Sequence, residues 1–93
     1  MTATEITLVK KVAEKVVEPL EQEQWSEDDK LFRIRVKRGP GSKLVSVILS
    51  KIALWRLMND PQREVKLEYL RRDIQRQAKC RREYRYPRQL AHA

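Results

Sequence analysis

Ninety-three residues hold one domain at most, and a chain this short buries a modest fraction of its surface, so a partner chain can carry part of its stability. A hydrophobic fraction of 41% that includes two Trp excludes a wholly disordered chain, while a charged fraction of 37% keeps the core small. The net charge of +8 is segregated: residues 1–30 hold four Lys and eight Asp or Glu, a balance of −4, and residues 31–93 hold seventeen basic and five acidic residues, a balance of +12.

Segregation on this scale suits a polyanionic partner, because it raises a positive field over one part of the surface. The alternative is that the acidic segment folds back and neutralises the basic one. Cys80 is the single cysteine, so no disulfide forms within the chain, and a reducing cytoplasm is the expected setting. Its neighbours Lys79 and Arg81 favour a thiolate, although such a cysteine is more often an incidental small side chain. No signal-peptide pattern opens the chain, and the apolar run from Leu44 to Met58 is interrupted by Lys51 and Arg56, so no transmembrane segment is expected.

Ile6, Val9, Val12, Val16 and Leu20 recur at three- or four-residue intervals, which predicts an N-terminal helix after a frayed residue 1–3 segment. Thr2 or Thr4 supplies a cap, and Pro19 stops the regular part at about residue 18. The polar, acidic stretch 21–30, EQEQWSEDDK, reads as a linker or loop, with Trp25 either anchoring it to the core or exposed as a partner contact. The anchor is the preferred reading.

Leu31 to Arg38, LFRIRVKR, carries the clearest strand signal: Phe32, Ile34 and Val36 alternate with Arg33, Arg35 and Lys37. A solvated cationic face is one reading, and a ladder of charges about 7 Å apart, suited to phosphates or base edges, is the other. Gly39 to Lys43 then turns the chain. Either Lys43–Leu49 is a second strand of a short hairpin, or Ser42 caps a helix running to about Met58. The helix is preferred, since no breaker interrupts the apolar residues. The turn lacks the G-x-x-x-x-G-K-[ST] spacing of a phosphate loop, which leaves at most a single phosphate on the amides of that helix start.

Asn59-Asp60-Pro61 stops one helix and starts the next, with Asp60 as cap and Pro61 in the first position. The following helix is expected to run to about Glu83, with Leu67, Leu70, Ile74 and Ala78 on its apolar stripe. Arg71, Arg72, Arg76, Lys79, Arg81, Arg82, Arg85 and Arg88 crowd its second half and the segment beyond, with Tyr84 and Tyr86 interleaved. Arginine forms bidentate pairs with phosphate or carboxylate, and tyrosine stacks on unpaired bases. Cations at the negative pole of a helix explain two or three of these charges but not eight. Residues 88–93, with the sole histidine His92, are expected to be a disordered tail.

The predicted fold is therefore a single α+β domain, mostly helical: an N-terminal helix, one basic strand or a short hairpin, then two helices, the last long and arginine-rich. The order strand–helix–helix over about residues 31–75 is similar to that of dimeric ribbon–helix–helix DNA binders, in which a strand from each chain pairs and enters the major groove. That similarity implies a homodimer whose Arg33, Arg35 and Lys37 face bases. The expected function is non-enzymatic, with no cofactor: binding of DNA or RNA through the helix arginines, the strand face, Arg38 and Lys43. The alternative is an adaptor that binds an acidic protein with the same surface. Charge reversal at Arg76, Lys79 and Arg82 is expected to remove polyanion binding.

Overall fold

The structure, a computed structural model, describes residues 1–87. In chain order they form α1 (Ala3–Val16), β1 (Glu21–Glu27), β2 (Leu31–Lys37), β3 (Val45–Ser50), α2 (Lys51–Met58), α3 (Arg63–Lys79) and β4 (Tyr84–Tyr86). Helices take 45% and strands 26% of these residues, so the domain is α+β with a full sheet, and "mostly helical" overstates the helices. The tail predicted over 88–93, including Arg88, lies outside the described residues.

The sheet order is β1-β2-β3-β4, antiparallel in the first two pairings and parallel in the last. Alternation sends Phe32, Ile34 and Val36 of β2 and Val45, Val47 and Leu49 of β3 to one face. The row Trp25–Ile34–Val47–Tyr84 crosses all four strands there, with Glu27–Phe32–Leu49–Tyr86 beside it. Val9, Ala13 and Val16 of α1, Leu54 and Leu57 of α2, and Leu70, Ile74 and Ala78 of α3 pack into the same cluster. All three helices thus cover one face. The other face carries Arg33, Arg35, Lys37, Ser46, Ile48 and Arg85.

β1 and β4 were not expected, and β3 was the alternative to the preferred helix. Residues 21–27 are not a linker but an edge strand, held by Trp25, whose ring meets Phe32 edge-on at 5.8 Å and lies under the Lys10 ammonium at 5.6 Å. Trp25 is therefore the anchor, and the glutamates around it suit a solvated edge that must not pair with another chain. Asp28 closes the hairpin by accepting the Lys30 and Leu31 N–H groups, each at 2.8 Å, which holds its carboxyl below the ordinary aspartate range. Residues 45–50 are a strand and not the start of a helix. Ser50, not Ser42, caps the helix: its Oγ accepts from the Ala53 N–H at 3.2 Å, so strand passes directly into α2.

Smaller corrections concern the ends. α1 starts at Ala3, where Thr2 and Glu5 form a reciprocal capping box. Gln62, not Asp60, occupies the N-cap of α3; Asp60 instead accepts the Gln62 N–H at 2.7 Å and pairs with Lys66 at 2.6 Å. Those contacts, the Lys66 hydrogen bond first, hold the Asp60 carboxyl below its ordinary range. α3 ends at Lys79 rather than near Glu83, and the chain turns back into β4.

The ribbon–helix–helix arrangement is ruled out by the sheet order. β2 is flanked on both sides, by β1 and β3, so its backbone groups are already paired and cannot pair with a second chain.

Lys51, which the sequence shows only as an interruption of an apolar run, is 6% exposed. Its Nζ donates to the Asp28 carbonyl at 2.7 Å, pairs with Glu27 at 2.6 Å and lies 5.1 Å from the Phe32 ring centroid. The ammonium fastens the β1–β2 turn to the start of α2. Lys51→Met keeps the stem against Phe32 and removes only that clasp; a loss of about 1–2 kcal/mol is expected, because Glu27 stays half solvated. Thermal unfolding should show a fall in Tm of roughly 5–10 °C; an unchanged Tm would make the clasp incidental.

Candidate anion-binding site

The loop between β2 and β3 and the turn between α3 and β4 meet at one end of the sheet, because β4 runs parallel to β3 and enters beside its start. Gly41 adopts φ of +80°, which glycine tolerates without strain, and the Ser42 N–H bonds back to the Gly39 carbonyl at 3.1 Å. This compact loop presents Arg38, Ser42 and Lys43. Opposite it, α3 ends in a left-handed turn in which the Arg81 N–H bonds to the Ala78 carbonyl and the Arg82 N–H to the Gln77 carbonyl, both at 3.0 Å.

Arg81 occupies the left-handed position of that turn, with φ of +58°. A side chain there costs about 1 kcal/mol that glycine would avoid. The chain thus carries a guanidinium where the backbone alone would favour glycine. Arg81 and Lys79 from the helix end and Arg38, Ser42 and Lys43 from the loop line a cleft of about 40 Å³, floored by Val45 and Ala78. A wider groove of about 370 Å³ shares Arg38 and Lys79 with it and adds Arg76, Gln75, Pro19 and Leu20. Among the described residues, no carboxylate lines either one.

Ion pairing sorts the predicted site residues into two groups. Lys37 is withdrawn: Glu23 at 2.7 Å and Glu21 at 3.7 Å hold it, and the Glu23 hydrogen bond raises its ammonium above the ordinary range. Arg33 meets Asp28 at 3.8 Å, Arg71 and Arg72 share Glu68, Arg76 meets Asp73 at 3.2 Å, and Arg85 meets Glu83 at 2.9 Å. By contrast Arg35, Arg38, Lys43, Lys79, Arg81 and Arg82 have exposed side chains and no ion pair to a described residue. Four of those six line the cleft.

The acidic N-terminal segment therefore neutralises the sheet, not this end. Its carboxylates reach Arg33, Lys37 and Lys51, while in the α1–β1 connection it is the Glu18 carbonyl that meets α3 side chains, accepting from Arg71 Nε at 2.9 Å and Gln75 Nε2 at 3.2 Å. No family model, curated protein or solved structure matches the chain. Among the described residues, no helix is long and apolar enough to cross a membrane, and no three His, Cys, Asp or Glu side chains gather as metal ligands.

The two tyrosines are not placed for base stacking. Tyr84 is 4% exposed on the inner face, and Tyr86 beside it is half-buried, its hydroxyl pushed up by that burial. They are core residues because Val47 and Leu49 face them across β3 and β4. No helix begins at Ser42, so the expected phosphate site on helix-start amides is absent. Ser42, Gln75, Pro19 and Leu20 were not foreseen as site residues, and only the glycine turn beside Ser42 carried any local signal.

Proposed function

We propose that the protein binds nucleic acid as a non-enzymatic factor, regulatory or architectural, through contacts to phosphates. The observation that carries this reading is the convergence of Arg38, Lys43, Lys79 and Arg81 on one cleft that no carboxylate of the described residues lines. Like charges gathered without counterions repel one another, and a bound polyanion relieves that repulsion while releasing its own condensed counterions. Two of the four are arginines, whose guanidinium groups suit bidentate phosphate contact.

On the outer sheet face Arg35, beside Ser46, adds an exposed cation with no ion pair to a described residue, whereas Arg33 and Arg85 are held by Asp28 and Glu83. Among the described residues this face presents no aromatic ring. Stacking on unpaired bases therefore contributes little, and contacts to the backbone of a duplex suit the surface better.

Titrations with duplex DNA, duplex RNA, single-stranded RNA and polyglutamate, each at several salt concentrations, test the reading. Duplex binding is expected to be tightest, with log affinity falling against log salt at about −0.9 per phosphate neutralised, roughly −4 for the cleft cations together. Polyglutamate binding as tightly as either duplex at equal salt would replace this reading with an adaptor for an acidic protein.

A further inference from the structure

We infer that the cleft between the β2–β3 loop and the end of α3 receives a terminal phosphate, so that the protein prefers nucleic-acid strands ending in a phosphomonoester. This inference rests on the nucleic-acid reading above. Its basis is the shape of the site as well as its charge.

A phosphate within a strand is a diester with about one negative charge, and both of its ester oxygens continue into the chain. A terminal phosphate carries close to two charges near neutral pH and three oxygens not committed to the chain. The cleft is small, about 40 Å³, and its wall is cationic on both sides: Arg38 and Lys43 from the loop, Lys79 and Arg81 from the helix end. Ser42 adds a hydroxyl donor. Four cations exceed what one diester needs and suit a dianion with three open oxygens.

The wider groove next to the cleft fits what is attached to such a phosphate. It shares Arg38 and Lys79 with the cleft, so a group leaving the phosphate enters it directly. Its walls are Pro19 and Leu20 on the apolar side and Gln75 on the polar side. Gln75 uses Nε2 to reach the Glu18 carbonyl at 3.2 Å, which leaves its Oε1 to accept from a sugar hydroxyl or a base amine. At about 370 Å³ the groove has room for one nucleoside.

Arg81 supplies the most selective test. Glycine satisfies its left-handed backbone better than arginine does, so Arg81→Gly should fold at least as well as the wild type. The same change removes one guanidinium from the cleft.

The experiment compares duplexes identical in sequence that end in hydroxyl, in 5′-phosphate or in 3′-phosphate, together with a nucleoside monophosphate, on the wild type and on Arg81→Gly and Lys43→Ala. At least one phosphorylated end is expected to bind about tenfold more tightly than the hydroxyl end. In both variants the affinity for phosphate-ended duplexes should fall to that for hydroxyl-ended ones, so that the ratio between them disappears whatever each variant loses on duplexes in general, and Arg81→Gly should keep or raise its Tm. Equal binding of phosphate-ended and hydroxyl-ended duplexes would overturn the inference and leave nucleic-acid binding standing. Binding of neither would remove the nucleic-acid reading itself. A mononucleotide that binds as tightly as the phosphorylated duplex would assign the cleft to a free nucleotide and overturn the strand-end preference.

Discussion

Ile34→Asp is expected to abolish cooperative folding. Ile34 is fully buried at the middle of the row that joins all four strands, between Trp25 on β1 and Val47 on β3. An aspartate there must either bury an unpaired carboxylate or open the sheet beneath the helices. Each route costs about 5 kcal/mol or more, which is the whole stability of many domains of this size. Circular dichroism through a thermal ramp should show no sigmoidal transition. Ile34→Val, which removes one methyl group from the same place, should retain the transition at a cost of about 1 kcal/mol. A cooperative melt in Ile34→Asp would show that the sheet's inner face is not the core that holds this domain together.

The alternation in LFRIRVKR made this strand and its inward residues legible, and the same alternation placed Arg33, Arg35 and Lys37 on the outer face. Legibility failed at the two neighbouring strands for different reasons. β1 directs only Trp25 among large apolar residues toward the core, so its pattern is polar throughout; pairing with β2 and the contact of Trp25 with Phe32 make it a strand where local propensity would leave a loop. β3 and α2 form one apolar run with no glycine or proline between them. The change from strand to helix rests on the Ser50 cap, and a serine inside such a run also fits the polar stripe of a single helix.

The site was legible by residue type but not by place. The excess of arginine over residues 71–88 was plain, yet which of those cations are neutralised depends on carboxylates one turn away, Glu68 and Asp73, and on Glu83 beside β4. Arg38 and Lys43 stood out only as flanks of a glycine turn. Their meeting with Lys79 and Arg81 follows from the parallel entry of β4 beside β3, a pairing between segments almost forty residues apart. Nothing local in either segment announces it.

Those placements change which charge reversals should matter most. The triple substitution Arg38→Glu, Lys79→Glu and Arg81→Glu is expected to weaken duplex binding on the order of 1000-fold at low salt, since each guanidinium or ammonium lost from a phosphate costs about 1.5–3 kcal/mol and each new carboxylate repels. The reversal first suggested by the sequence, at Arg76, Lys79 and Arg82, should be weaker. Only Arg76 and Lys79 of that set line the groove, only Lys79 lines the cleft, and Arg76 already faces Asp73. The control must change net charge by the same amount elsewhere. Lys11, Arg56 and Arg63 are exposed, and none of them is in an ion pair with a described residue or lines the cleft or groove. Reversing those three lowers the long-range field equally but leaves the contact surface intact, so its effect should be several-fold and should fade as added salt screens it. The cleft triple should remain defective at salt concentrations where the control has recovered. If both triples lose affinity equally at every salt concentration, binding follows net charge alone, and the convergence at the end of the sheet has no special role.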